Sequence, residues 1–194
     1  MRHDIILDGY AFRLRPIGDA DAKFVISLRS NPQLNRYLHP SSNRVEDQLD
    51  WFAEYYRRPG DYYFVLERKD NNASEGVVSV YNIDTEYRTG EWGRWIIKPG
   101  SIGAVESALL IYRVAFERLH LHVLYCRTMA DNAKVVSFHD SCGIIQRTLL
   151  PLYFDIDGRR FDAVEHQIDT FTWAKICPRL EKLAQLTARR ATLG

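Results

Sequence analysis

Strands and helices alternate along this chain in an order that predicts an α+β fold (three-layer α/β), a mixed, mainly antiparallel sheet with helices on both faces. Three observations carry the prediction. Apolar, β-branched and aromatic runs at 62–67, 76–83 and 91–97 are separated by short polar turns, which reads as an antiparallel meander. The spacing of apolar residues then becomes helical over 105–119. Near the end, two long alternating runs meet at Asp157-Gly158, a strong hairpin signal.

The elements follow in order. Residues 10–16, YAFRLRP, alternate as a strand. A helix start lies at 17–21 with Asp19 as its cap, and a short helix over 21–30 stops at Asn31-Pro32. After the loop Pro40-Ser41-Ser42-Asn43, residues 45–57 form an aromatic-rich helix ended by Pro59-Gly60. The meander comes next. In the helix after it, Val105, Ala108, Leu109, Tyr112, Ala115, Phe116 and Leu119 share a stripe, with Glu106, Arg113 and Glu117 off it. Residues 123–129 are a strand and 132–141 a helix closed by Gly143. Residues 144–156 and 159–171 are the hairpin strands, and a basic helical tail runs from about 173, interrupted near Pro178.

No repeat, linker or low-complexity segment divides the chain, and 194 residues suffice for one sizeable core, so 1–194 reads as a single domain. The 26 basic and 25 acidic side chains give a formal charge of +1, which provides no electrostatic basis for a nucleic-acid partner. Apolar runs fall short of a membrane span and the start, MRHDIILDGY, lacks a cleavable signal pattern, so no membrane partner and a cytoplasmic location are expected. Cys126, Cys142 and Cys177 stand apart with no Cys-x-x-Cys pair or His/Cys cluster, so buried free thiols are expected and no metal site.

Residues 90–104, GEWGRWIIKPGSIGA, bear on function. A strand that runs through a tight turn into a helix gathers backbone N–H groups where the helix dipole favours negative charge. A pyrophosphate suits that spot. Gly100 and Gly103 permit close backbone approach, and Ser101 adds a hydroxyl donor. Downstream, Asn132-Ala-Lys-Val-Val-Ser-Phe-His139-Asp-Ser-Cys-Gly143-Ile144 forms a second motif.

Turn, motif and order of elements resemble the GCN5-related N-acetyltransferases (GNAT) over residues 10–172. The family's loop pattern is Arg or Gln, two residues, Gly, one residue, then Gly or Ala. Ala104 falls on the last small position, while Ile102 replaces the middle Gly and Pro99 the leading residue. In the second motif Asn132 and Gly143 match, and Val135, Phe138 and Ile144 are conservative swaps. His139 stands where the family usually has a Tyr near the CoA sulfur.

The resemblance implies acetyl-CoA as co-substrate, held by Ile97, Gly100, Ser101, Gly103, Ala104 and Asn132 between splayed fourth and fifth strands. N–H groups near Ile97 would polarise the thioester carbonyl. An ammonium cannot attack until it loses a proton, and Glu91 matches a family position that accepts it; the alternative is a solvated carboxylate paired with Arg94 or Arg88. A His139 imidazolium would return a proton to sulfur, against an alternative of no role. Arg36, Tyr37, Tyr81, Asn82 and Trp92 are expected at the acceptor, with His39 in a covering loop; His120 and His122 read as structural.

Segments 28–38, 46–67, 78–84 and 91–101 resemble the branch that acetylates amino groups of nucleotide-linked sugars in surface-polysaccharide pathways of the pseudaminic-acid type. Ribosomal-protein N-terminal acetyltransferases share the layout, so a protein N-terminus is the alternative acceptor. A non-catalytic acyl-CoA-binding module is the second alternative. Either a monomer or a homodimer is compatible with the chain.

Overall fold

The structure, a computed structural model, describes residues 2–191. Its centre is an eight-stranded sheet. The strands are β1 (Leu7–Asp8), β2 (Phe12–Pro16), β3 (Tyr62–Arg68), β4 (Ser74–Asp84), β5 (Thr89–Ile97), β6 (Val123–Met129), β7 (Arg147–Ile156) and β8 (Arg159–Asp169). They lie in the order β1-β2-β3-β4-β5-β6-β8-β7, and only β5 and β6 pair in parallel. The helices are α1 (Ala22–Arg29), α2 (Val45–Arg57), α3 (Ala104–Arg113, extended by a π-helical turn), α4 (Ala133–Ser141) and α5 (Thr170–Ala191).

Strand alternation builds two cores. On one face Val65, Val77 and Ile96 pack beneath Val25 and Leu28 of α1 and Phe52 and Tyr55 of α2. On the other, Phe64, Leu66, Val78, Val80 and Trp92 pack against α3, which α5 covers in turn. The three-layer expectation therefore holds. Wrapped on both sides, α3 is buried from Glu106 to Tyr112, and each fully covered Leu or Ile there contributes about 1.5–3 kcal/mol.

Several local expectations need correction. Asp19 is not a helix cap: its carboxylate accepts from the Tyr56 hydroxyl at 2.6 Å. The neighbouring Asp21 accepts the Gly18 N–H at 2.9 Å and the Arg15 guanidinium instead. Glu106 is not a solvated off-stripe residue but 2% exposed, accepting N–H donors from Tyr10, Ala11 and Phe12 and so tying the β1–β2 turn to α3. Burial pushes its carboxyl above the ordinary range despite those donors. Residues 170 and 171 belong to α5, not to the strand before it. Pro178 does not interrupt α5. A proline removes one helix hydrogen bond, but Trp173, Ile176, Leu180 and Ala184 hold the stripe on α3 across it. The tail's end, 192–194, lies outside the described residues.

Candidate active site

The parallel pair β5–β6 is short. Thr89, Gly90 and Glu91 face Val123, Leu124 and Tyr125, and beyond Glu91 the strands have no further register partners. This is the splay expected between the fourth and fifth strands of the sequence reading. Tyr37, on the α1–α2 connection, crosses to the open end, where its hydroxyl donates to the Asp131 carbonyl at 3.0 Å. Arg36 is exposed and lies over the Tyr37 ring.

Glu91 sits on the last paired rung, between Tyr81 of β4 and Tyr125 of β6. It is 7% exposed and faces the α1/α2 side. Its Oε1 accepts from the Tyr81 hydroxyl at 3.3 Å, and its Oε2 from Asn82 Nδ2 at 3.0 Å and Arg127 Nη1 at 3.3 Å. Its cation is thus Arg127, not Arg94 or Arg88. Arg94 instead forms a two-pronged pair with Asp61 at 2.6 and 2.9 Å and lies 4.5 Å from the Tyr81 ring centroid. Burial and the Glu91 charge hold the Tyr81 phenol above its ordinary value, so it is a donor to that carboxylate.

Two members of the expected site lie elsewhere. Trp92 is not an acceptor residue: at 2% exposure it is core on the α3 face, edge-on to Tyr112 and His139. Trp95 is also on that face, donating its indole N–H to Ser107 at 2.9 Å. His139, 2% exposed, is enclosed by Trp92, Trp95, Phe138, His166 and Cys126. Burial, then the His166 charge, lower its pKa to about 3, with Asp140 pulling weakly the other way. Burial thus holds the imidazole neutral at physiological pH, against the imidazolium that the sequence reading expects.

The loop after β5 turns at Gly100, whose φ of +82° suits glycine and whose missing Cβ would meet open space. Gly103 is small for a different reason: a Cβ there would fall 2.5 Å from Leu66 and 3.3 Å from Phe12. The Ser101 hydroxyl is not free for a ligand, because it donates to buried Glu75 at 2.5 Å and accepts the Gly103 N–H at 3.0 Å. What remains for an anion is main chain, the first-turn N–H groups of Ala104 and Val105. Ile97 pairs with Gly76 on β4 only. Asn132 caps α4, its side chain accepting the Val135 N–H at 3.5 Å.

On the α1/α2 face a cavity of about 500 Å³ is lined by Arg29, Arg58, Arg94, Ser41, Ser42, Trp51 and Asp47 among others. Arg94 stands between it and Tyr81. Arg29 bonds only neutral groups, the Ser41 hydroxyl at 3.0 Å and the His39 carbonyl at 2.9 Å, and Arg58 lies over the Trp51 ring. Both charges are left without a carboxylate partner among the described residues. Sequence reasoning missed this pocket, Arg127 and Glu75. Strand parity was the available signal for Arg127, two residues after Tyr125 and so on the same face as Glu91.

A splayed parallel pair with one strand running through a tight turn into a helix is the arrangement expected of an acyl-CoA-dependent transferase. The sequence model of the acetyltransferase (GNAT) domain matches residues 12–145, and the chain belongs to that family. It is an N-acetyltransferase, and acetyl-CoA is its co-substrate. Among curated relatives, a spermidine N(1)-acetyltransferase from Vibrio cholerae is 27% identical over 153 residues, 77% of this chain and 87% of the relative. Among solved structures, apo FdhC, a nucleotide-linked sugar GNAT, superposes with a TM-score of 0.76 at 26% identity, over 94% of this chain and 99% of its own. A GCN5-related N-acetyltransferase from Brucella melitensis shares the fold, with a TM-score of 0.81 at 15% identity over 93% and 86%. Among the described residues no helix is long and apolar enough to cross a membrane, and no group of three or more His, Cys, Asp or Glu could hold a metal ion.

Proposed function

We propose that the acceptor is the amine of a nucleotide-linked amino sugar of the kind used in surface-polysaccharide biosynthesis. The observation that carries this reading is the charge of the cavity on the α1/α2 face, which Arg94 and Tyr81 connect to Glu91. Three guanidinium groups, the Ser41 and Ser42 hydroxyls and the aromatic side chains of Trp51 and Tyr63 line it with a single carboxylate, Asp47. A diphosphate handle suits the guanidiniums and a base or sugar face suits Trp51. A polycation such as spermidine would meet like charge there. The sugar-nucleotide enzyme among the structural neighbours supports the same reading.

Acetyl-CoA, when bound, supplies the acetyl thioester. The N–H groups of Ala104 and Val105, with the open turn at Gly100, fit its diphosphate, and the gap beyond Glu91 fits its pantetheine arm. Within this chain, Glu91 takes the amine proton. Its Oε2 already accepts two donors, while Oε1 has only the Tyr81 hydroxyl, so Oε1 is the oxygen with room for a proton or a bridging water. Tyr81 and Asn82 serve the acceptor indirectly, by holding that carboxylate. Neutral His139 and Trp92 form the wall behind the strand.

The test is thiol release from acetyl-CoA with UDP- and dTDP-linked amino sugars, spermidine and short peptides as rival acceptors. Rapid release with a nucleotide sugar is expected. Preference for spermidine or for a peptide N-terminus refutes the assignment and selects that acceptor instead.

A further inference from the structure

Arg127 lies outside every motif that the sequence singles out, yet three structural elements converge on it. Its Nη1 reaches Glu91 Oε2 at 3.3 Å and its Nε donates to Glu165 Oε2 at 2.8 Å. Its guanidinium also lies over two rings, 4.6 Å from the Tyr125 centroid and 4.9 Å from that of Tyr153. Tyr153 and Glu165 come from β7 and β8, beyond the residues that the family model matches. An arginine held at its edge by a carboxylate and packed against two rings has little rotamer freedom left to lose. It therefore presents a fixed donor to Glu91.

We infer that Arg127 is a positioning residue for the acetyl transfer, and that the C-terminal hairpin completes the active site through it. Arg127 and Asn82 together occupy Glu91 Oε2, which fixes the carboxylate plane and leaves Oε1 toward the acceptor side. A carboxylate released from that grip would rotate into the splay and lose its alignment with the amine. The inference rests on Glu91 as the proton acceptor.

A double-mutant cycle tests it, with Arg127→Gln, Glu91→Gln, the pair together, and Arg127→Lys, each scored for kcat, acceptor KM and the calorimetric Kd for acetyl-CoA. Arg127→Gln is expected to lower kcat roughly 10- to 100-fold, as small misplacements of a reacting group do. The acetyl-CoA Kd stays put, so the loss falls on kcat and not on cofactor binding. In the Glu91→Gln background the same change adds no further loss, and Arg127→Lys recovers part of the rate. Wild-type kcat in Arg127→Gln, or a full further loss in the Glu91→Gln background, overturns the inference while leaving Glu91 in place. Wild-type kcat in Glu91→Gln overturns both it and the reading beneath it.

Discussion

His139→Phe tests the electrostatics of the α3 face through stability alone. The imidazole is 2% exposed and ringed by Trp92, Trp95 and Phe138, with His166 at 5.0 Å between centroids and Cys126 Sγ 3.6 Å from Nε2. Its pKa falls from the ordinary 6.5 to about 3, chiefly by burial. The folded protein therefore takes up this proton only near pH 3, while the unfolded chain takes it up at 6.5. Stability from the neutral ring is fully present above pH 6.5, is lost as pH falls below that, and stops falling near pH 3. Each pH unit in that window costs about 1.4 kcal/mol. Between pH 6.5 and pH 5 the wild type should thus lose about 2 kcal/mol that the Phe variant, a ring of similar volume, does not. Urea unfolding followed by circular dichroism at both pH values reads the difference, with equal m-values as the control. Equal losses in the two proteins would mean that the ring meets water or a hidden partner, and would return a protonated His139 to the mechanism.

Two further substitutions probe the two sides of the site. Gly93→Ala puts a Cβ 2.5 Å from the Tyr81 hydroxyl and 3.2 Å from its ring, displacing that donor from Glu91. Steady-state kinetics should show kcat down roughly 10- to 100-fold, with the acetyl-CoA Kd unchanged by calorimetry. Ser101→Ala removes the donor to Glu75 rather than one to a ligand. It should leave acetyl-CoA affinity intact yet lower unfolding free energy by about 1–3 kcal/mol. Weakened acetyl-CoA binding would show that the hydroxyl leaves Glu75 for the phosphates.

What the sequence made legible was whatever depends on local period and turn chemistry. Residues 45–57 form a helix with those bounds, Asp157-Gly158 makes its hairpin with both residues at positive φ, and Asn132 caps α4. The meander and the helices on both faces follow from the same alternation. Glu91 drew notice because it lies on the strand that feeds the loop. What escaped depends on contacts between distant segments. Glu106 read only as off the apolar stripe because the donors that satisfy it in its buried place, the N–H groups of the β1–β2 turn, lie more than ninety positions away in sequence. Arg127 looked like an ordinary strand cation until β8 brought Glu165 to its side. Trp92 was assigned to the acceptor because its face of β5 cannot be known until the register of that strand is.

The register of β5 also explains how a polar site arises in a sheet otherwise built to bury both faces. Against β4, strand β5 carries an extra residue around Arg94–Trp95, and β4 carries one around Asn82–Ile83. Asn82 and Arg94 adopt φ of +50° and +49° there. Strict alternation would have aimed both side chains at the α3 core. The two bulges turn them instead to the face of Tyr81 and Glu91, so that Asn82 reaches the carboxylate and Arg94 reaches Asp61 and the arginine-lined cavity. Left-handed backbone costs a non-glycine residue roughly 1–2 kcal/mol. At Arg94 the two-pronged bond to buried Asp61 offsets that strain. The bulges bracket Glu91, and the splay begins one rung beyond it, so the same departures from regular pairing place the Glu91 carboxylate, turn Arg94 to the arginine-lined cavity and open the gap between β5 and β6.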